Sequence, residues 1–109
     1  MKKRNIIKQA TTYNRIIQKE KPFKYHDFLI FIEKINENNH YFGFSTGKKI
    51  GNAVTRNRIK RQLKDIVDKK DYKNGFNCII MVRKGILDKS YLEMKKDLEY
   101  CFTKLDLYL

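Results

Sequence analysis

The segment Lys48–Lys64 constrains this chain most, because it is strongly basic on one side and apolar on the other. It carries seven lysines and arginines and no acidic residue before Asp65. Projected on an α-helix, its apolar side chains and those of the next residues fall within one arc. That arc contains Ile59, Leu63, Ile66 and Val67. The pattern predicts a helix, capped by Asn52 and running to about Lys69, that docks on a core and offers cations to solvent.

Like charges stack along this predicted helix. Arg56, Lys60 and Lys64 lie one turn apart, and such stacking costs helix stability unless an anion relieves it. Solvated helix faces normally mix positive and negative charges. Arginine presents a planar fork of donors to phosphate oxygens, and Asn57 beside Arg58 can donate to a phosphate, a 2′-hydroxyl or a base edge. We therefore expect Arg56, Asn57 and Arg58 to position a nucleic-acid backbone rather than to read its sequence.

The overall composition favours a folded, basic binding domain. A net charge of +13 on 109 residues repels itself, so a polyanion is expected, with nucleic acid as the leading partner and an anionic membrane as the lesser one. The fourteen Phe and Tyr residues can bury enough apolar surface to fold. The length fits one domain over residues 1–109, in which residues 1–10 form a basic arm that is poorly ordered on its own.

Signals for export and for membrane insertion are missing from the sequence. The N-terminal residues run into Lys8 and Gln9 without an apolar stretch, which argues against a secretory signal. No apolar run approaches the roughly 20 residues that a membrane span needs. Cys78 and Cys101 lie far apart, each in an apolar segment, and are expected to be reduced core cysteines. A cytoplasmic protein with no membrane partner is predicted.

The first half of the chain predicts a short helix followed by strands. Thr11 or Thr12 can cap a helix whose apolar face includes Ile16, and Pro22 closes it. Residues 23–35 read as an extended segment with apolar side chains on both faces, with a short strand near residues 21–24 before it. The turn at residues 36–39 then leads to a strand over 40–46, and these two strands are predicted to form a hairpin.

The second half of the chain adds a buried strand and a last helix. Residues 76–82 are almost wholly apolar over a strand's length. Ser90 and Glu93 form a capping box that opens a helix with heptad-spaced apolar side chains. The order is helix, two or three strands, basic helix, strand, helix. It predicts a two-layer α+β domain.

Three other features of the sequence could point to a function: the basic helix as part of a helix-turn-helix, the two histidines, and the many aromatic residues. Each is better explained without that function. A helix-turn-helix needs a helix just upstream of the basic one, whereas residues 40–46 have β-type composition. His26 and His40 are single, and no nucleophile, carboxylate pair or metal-ligand cluster is tied to them by a recognisable motif. Most aromatic side chains should lie in the core. The alternative for Leu29 and Phe31 is an exposed cleft in which unpaired bases stack.

The segment Gly43–Lys64 closely resembles the hallmark segment of the bacterial ribonuclease P protein components, including the Arg-Asn-Arg core at residues 56–58. The resemblance extends over essentially the whole chain. Further matching segments, in the family's order, are Met1-Lys-Lys-Arg-Asn, Thr12-Tyr-Asn-Arg-Ile-Ile, Phe28-Leu-Ile-Phe, Ile79-Ile-Met-Val-Arg-Lys84 and the last helix.

This resemblance implies the small subunit of a ribonucleoprotein. In the family, a catalytic RNA removes the 5′ leader of precursor tRNA, and it uses Mg²⁺ bound by the RNA and its complex with substrate. The implied partners are that RNA and precursor tRNA, with no protein partner required and no active site or metal site in the protein itself. The implied fold is that of the second domain of a small-subunit ribosomal protein, with the basic helix in a left-handed crossover between parallel strands, against the usual hand.

The resemblance also assigns residues to two surfaces. The face toward the catalytic RNA corresponds to Lys48, Lys49, Arg56, Asn57, Arg58, Lys60, Arg61 and Lys64. A separate cleft between the first helix and the sheet, which holds the single-stranded leader, corresponds to Tyr13, Ile17 and Phe31. Family members usually have an aromatic residue where this chain has Ile17, so a stacking surface is missing there.

Three hypotheses follow from the sequence. The chain is an accessory subunit of a ribozyme, an RNA-binding module without enzymatic output such as a ribosome-associated protein of similar fold, or a metal-dependent nuclease with its own active site. Cleavage that requires a catalytic RNA supports the first. RNA binding without stimulated cleavage supports the second, and cleavage by the protein alone supports the third.

Overall fold

The structure is a computed structural model, and it describes residues 5–109. In this part of the chain, three α-helices lie against one four-stranded sheet, and short 3₁₀ turns precede α2 and α3. The elements are α1 (Ala10–Lys19), β1 (Phe23–Tyr25), β2 (Phe28–Lys34), β3 (His40–Ser45), a 3₁₀ turn (Lys48–Ile50), α2 (Ala53–Asp68), β4 (Phe76–Val82), a second 3₁₀ turn (Lys84–Asp88) and α3 (Tyr91–Lys104).

The strands are arranged in the order β1-β2-β4-β3. Ile80 of β4 lies opposite Ile30 of antiparallel β2 on one side and Phe44 of parallel β3 on the other. The predicted hairpin between the strands at 23–35 and 40–46 is therefore wrong. β4 is buried at six of its seven residues, so it takes a central place between two neighbours, and the hairpin forms instead between β1 and β2.

The predicted α+β class is confirmed, and α2 is the connection between parallel β3 and β4. Between two parallel strands the chain must return along the length of the sheet, and a helix usually makes this crossover connection. The handedness of this crossover stays a prediction of the family resemblance. The arrangement places the basic helix beside β3, which is an edge strand of the sheet.

Apolar side chains form two clusters on opposite faces of the sheet. The main cluster lies between the sheet and helices α2 and α3, and Leu63, Leu98 and Phe102 are each at most 1% exposed in it. The second cluster consists of Ile7, Ile16, Phe31 and Ile79. Because β2 alternates between the two clusters, the predicted apolar character of both its faces is confirmed.

The helix ends follow the capping signals in two of three cases. Asn52 accepts a hydrogen bond from Thr55 N at 2.9 Å, and the capping box of Ser90 and Glu93 is complete. The predicted cap of the first helix is wrong. α1 begins at Ala10, and its N-cap residue, Gln9, makes no side-chain hydrogen bond to the helix.

The predicted arm over residues 1–10 is attached to the sheet in its second half. Asn5 Nδ2 donates to His40 O at 2.7 Å, Ile6 pairs with Phe42, and Ile7 is 8% exposed. Residues 5–7 therefore lie against β3, and the expectation that the arm is poorly ordered on its own stays a prediction. Residues 1–4 of the arm lie outside the described residues.

Both cysteines are buried and unpaired, as predicted. Burial raises the pKa of the Cys101 thiol to about 12, and it raises that of Cys78 as well. Both thiols are therefore protonated at neutral pH and serve as small apolar side chains of the core.

Candidate nucleic-acid interface

The basic helix presents its cations in two rows. Arg56, Lys60 and Lys64 form a half-buried row that follows the edge of the sheet, and Lys64 Nζ lies 6.0 Å from the ring centroid of Phe44 on β3. An exposed row runs beside it and contains the cations Arg58 and Arg61 together with the uncharged Asn57. The two rows together give a broad cationic face rather than a single line of charge.

The apolar side of α2 fixes the direction of this face. Ile59, Leu63, Ile66 and Val67 are the buried residues of the helix, as predicted. Their packing against the sheet prevents rotation of α2 about its axis, because rotation would expose the stripe to water. The cations therefore keep one orientation, and the exposed Lys48 and Lys49 on the preceding 3₁₀ turn extend the basic surface.

The acidic residue nearest to this face points elsewhere. The Asp65 carboxylate accepts a hydrogen bond from the Tyr91 hydroxyl and lies 3.7 Å from Lys69 Nζ. The hydrogen bond from Tyr91 lowers the pKa of Asp65, so this group stays ionised and bound to α3. Among the ion pairs of residues 5–109, none includes a cation of Arg56–Lys64, which leaves these cations to an external anion.

A groove runs between α1 and the end of β3. It has a volume of about 480 Å³, and Tyr13 and Ile17 lie on its α1 wall, as the resemblance implies. Its remaining lining comes from the arm, α1, β3, the residue after β3, and α2: Ile7, Lys8, Ala10, Asn14, Phe44, Ser45, Thr46 and Lys60. We call it the α1 groove.

Phe31 does not line the α1 groove. It is 5% exposed and packs beneath α1 with Ile16 and Ile79. The core interpretation of this aromatic residue is therefore the one that the structure supports, and Phe31 can influence a ligand of the groove only through the position of α1. Leu29 remains half-buried beside it.

The position of Tyr13 depends on a close approach to β3. Its hydroxyl accepts a hydrogen bond from Phe44 N at 3.1 Å and donates one to Ile7 O at 3.2 Å. A Cβ atom at Gly43 would lie 2.7 Å from the Tyr13 hydroxyl oxygen, so glycine makes room for the ring. Burial raises the pKa of Tyr13, which keeps the phenol protonated as a donor. One side chain thus joins the arm, α1 and β3.

The two predicted surfaces meet at Lys60. This side chain lines the α1 groove and also a second, shallow groove on the exposed side of α2 with Asn57, Arg61 and Lys64. The sequence interpretation treated the two surfaces as separate. In the structure they adjoin at this side chain, which forms part of the wall of both grooves.

Several groove residues were not singled out from the sequence. Asn14 and Ser45 lie within segments that carry the family resemblance, but no local signal marked them as lining a groove. Val54 is 76% exposed on the shallow groove. Its position on the polar side of the projected helix was the available signal, because an apolar side chain there has no core to join.

No three His, Cys, Asp or Glu side chains within residues 5–109 are grouped so that they could hold a metal ion. None of the described helices combines the length and the apolar character needed to cross a membrane. His26 Nδ1 lies 3.1 Å from Asp97 Oδ1, and the His40 ring stacks on Phe76.

Comparison with protein families and curated sequences gives one consistent match. The family model described as Ribonuclease P matches residues 1–106. The ribonuclease P protein component of Bacillus cereus strain AH187 is 35% identical over 107 residues, which cover 95% of this chain and 93% of that protein. The component of Bacillus anthracis strain A0248 is also 35% identical, over 95% of this chain and 90% of that protein.

Solved structures agree with the sequence matches. The RNase P protein of Staphylococcus aureus superposes with a TM-score of 0.83 at 26% identity, over 96% of this chain and 98% of that one. The RNase P protein of Thermotoga maritima gives a TM-score of 0.79 at 18% identity, over 90% of this chain and 94% of that one. The second likeness concerns the fold alone.

Proposed function

The chain belongs to the ribonuclease P protein family, and on that premise we propose how it takes part in tRNA processing. Membership makes it the protein component of a tRNA-processing ribonuclease that acts with an RNA subunit. We propose that the α2 face binds the catalytic RNA, that the α1 groove holds the 5′ leader of precursor tRNA, and that both contacts raise the affinity for substrate and Mg²⁺. Cleavage itself is assigned to the RNA.

The observation that carries this proposal is that the α1 groove and the α2 face adjoin, with Lys60 in the wall of both grooves. The cations of α2 have no carboxylate partner among the described residues, and they are held in one direction by the buried stripe beneath them. Each Lys or Arg contact to a phosphate releases condensed counterion, which favours binding at low salt. A fixed cationic face lowers the repulsion between the catalytic RNA and a precursor RNA brought beside it.

The α1 groove supports a contact with single-stranded RNA. It combines an aromatic ring at Tyr13 and apolar surface at Ile17 with the cations Lys8 and Lys60. Unpaired bases pack on such surfaces while nearby cations follow the backbone, and the contact depends little on sequence. A leader contact exists only in the precursor, so it favours precursor over mature tRNA.

Magnesium is assigned to the RNA and its complex with substrate. Among residues 5–109, no three His, Cys, Asp or Glu side chains are grouped so that they could hold a metal ion, and the proposal places Mg²⁺ on the RNA. By bringing RNA phosphates together, the protein would increase the density of sites that attract Mg²⁺. We also propose a cytoplasmic location, the catalytic RNA and precursor tRNA as partners, no membrane partner and no required protein partner.

The test is 5′-leader cleavage of a precursor tRNA at low Mg²⁺ concentration. Three reactions are compared: this protein alone, bacterial ribonuclease P RNA alone, and the two together. We expect stimulation only in the mixture. Cleavage by the protein alone would overturn the accessory role, and a folded protein that fails to stimulate the RNA would leave only a basic RNA-binding domain.

A further inference from the structure

Helix α1 is held to the sheet by few apolar contacts. The cluster beneath it contains four buried residues, whereas the main cluster contains twenty. Ile16 is the single buried residue of α1. Tyr13 and Ile17 of α1 add partly buried apolar surface to this cluster. Because apolar stabilisation scales with the area removed from water, the cluster beneath α1 still contributes less than the main cluster does.

A polar contact supplements this thin cluster. Glu33, at the end of β2, has a side chain only 7% exposed on the face that α1 covers. Arg15 binds it at two points, with Nη2 2.8 Å from Oε1 and Nε 3.2 Å from Oε2. Asn77 Nδ2 of the neighbouring strand donates to Oε1 at 2.9 Å, and Lys19 Nζ lies 3.8 Å from Oε2.

This contact lies on the flank of α1 that faces away from the groove. Residues Arg15 and Lys19 are one turn apart on one side of Ile16, and Tyr13 and Ile17 are one turn apart on the other. The strand register agrees with this arrangement. Glu33 pairs with Asn77 at one end of the sheet face that α1 covers. At the other end Leu29 pairs with Met81, and both stay half-buried.

Leu29 and Met81 keep part of their apolar surface exposed beside α1. A small roll of the helix toward these two side chains would change the width of the α1 groove, because Tyr13 and Ile17 of its wall would move with the helix. A two-point contact between a guanidinium and a carboxylate fixes both distance and angle. Since Glu33 is itself held by Asn77, the contact opposes that roll.

We infer that Arg15, Glu33 and Asn77 form a positioning device for leader recognition, which holds α1 at the distance from β3 that the leader needs. These are positioning residues that act through α1, and none of the three lines the α1 groove. The inference rests on the proposed function of the α1 groove and names what keeps that groove open. It also accounts for a buried carboxylate in a chain of net charge +13, since an apolar side chain could supply packing but not direction.

The test uses holoenzyme reconstituted with bacterial ribonuclease P RNA. The measured quantity is the ratio of affinities for precursor tRNA with a leader and for the same tRNA without one, together with the affinity for the RNA subunit. In Glu33→Gln we expect the ratio to fall by roughly fivefold, because small displacements at a binding site are costly. The affinity for the RNA subunit should change no more than in the control.

The control is Asp106→Asn, which changes the net charge equally. Asp106 pairs with Lys73 on an exposed surface and has a left-handed backbone (φ of 57°), which asparagine accepts. Arg15→Lys, at a half-exposed position, keeps the charge but loses the two-point contact, and should lower the ratio by an intermediate amount.

The possible outcomes separate the inference from its premise. An unchanged ratio in folded Glu33→Gln and Arg15→Lys would overturn the positioning role. Equal losses of RNA-subunit affinity and of the ratio would reduce the pair to a general structural role and overturn the inference too. If the wild-type holoenzyme itself shows no leader preference while the RNA is still stimulated, the groove assignment fails, and the inference fails with it.

Discussion

The α2 face and the α1 groove bind by different physical means. The α2 face is a set of charges carried by a helix whose apolar stripe lies in the main core. The α1 groove is a shape, and its wall is a helix held by the small cluster beneath it, by the hydrogen bond from Phe44 N to the Tyr13 hydroxyl, and by one ion pair with two hydrogen bonds. A charged surface tolerates small displacements, because Coulomb attraction falls slowly with distance, whereas a groove that must match a base does not.

The α2 face and the α1 groove should also differ in how strongly their binding depends on salt concentration. Binding through phosphate contacts weakens steeply with salt. Packing of bases on aromatic and apolar surface depends much less on salt. The α1 groove should therefore keep its preference for leader-bearing precursor at salt concentrations where the α2 face loses affinity for the RNA subunit. The five predictions below test this contrast, beginning with the largest expected effect.

The unequal support of the two helices can be tested by truncating one buried side chain in each. Leu63→Ala in α2 should lower the free energy of unfolding by about 2–5 kcal/mol, because the cavity lies in the main core. Ile16→Ala in α1 should cost less in global stability and should mainly increase amide hydrogen exchange within α1. Equal global losses, measured by denaturant unfolding, would contradict the view that α1 is a weakly attached element.

An aromatic residue at Ile17 should strengthen the groove without changing the face. The side chain lines the α1 groove, and stacking of a base on an aromatic ring is worth about 1–3 kcal/mol. Ile17→Phe is therefore expected to raise the affinity for leader-bearing precursor by roughly tenfold. Ile17→Leu serves as control, because it keeps the volume without a ring. No gain in Ile17→Phe over Ile17→Leu would argue against base stacking at this position.

Removal of one exposed cation should affect the face alone. Arg58→Ala is expected to weaken binding of the RNA subunit and to reduce the slope of log affinity against log salt by about one. Lys96→Ala removes one exposed cation from α3 and should leave that slope unchanged. If Arg58→Ala instead lowers the leader preference and spares the RNA-subunit affinity, the assignment of the two surfaces is reversed.

Two glycines offer a matched pair near the groove. A Cβ at Gly43 would collide with the Tyr13 ring, whereas a Cβ at Gly47 meets nothing within 4 Å. Gly43→Ala should displace Tyr13, lose hydrogen bonds worth about 0.5–1.5 kcal/mol each, and reduce the leader preference. Gly47→Ala should leave the preference unchanged. The affinity ratio for the two substrates measures both, and similar behaviour of the two variants would refute the role of Tyr13.

The ion pair of α1 predicts a modest dependence of stability on pH. The hydrogen bonds from Arg15 lower the pKa of Glu33 against the opposing effect of burial, and Asn77 adds to the lowering. The stabilisation is therefore complete above the ordinary glutamate range and is lost as the pH falls through the lowered pKa of the folded state. The free energy of unfolding of the wild type should approach that of Glu33→Gln in acid. A difference that stays constant with pH would contradict this linkage.

Local patterns predicted most of the fold and the buried and exposed sides of α2. The buried stripe, the Asn52 cap, the limits of β4 and the capping box of α3 each depend on a few neighbouring residues, and each is confirmed. The sheet order could not be predicted in this way, because the turn at 36–39 suits a hairpin whether or not β4 inserts. The sheet order is determined instead by β4, which is buried between β2 and β3.

The α1 groove was predictable only in part. Tyr13 and Ile17 were placed by family resemblance, and Phe31 lies beneath the helix instead of in the groove. The contribution of Lys60 to both grooves and the contact between Arg15 and Glu33 join residues far apart in the sequence. The spacing of apolar residues along the sequence does not predict such contacts, because they depend on how α1 and α2 lie across the sheet.

The most direct test of the two-surface account is a salt series on the wild-type holoenzyme. At each salt concentration, the affinity for the RNA subunit is measured together with the ratio of affinities for precursor with and without a leader. The ratio cancels effects that the two substrates share. The account predicts a steep fall of RNA-subunit affinity and a shallow change of the ratio. A ratio that falls as steeply as the RNA-subunit affinity would contradict it, because the groove would then be one more phosphate-binding surface.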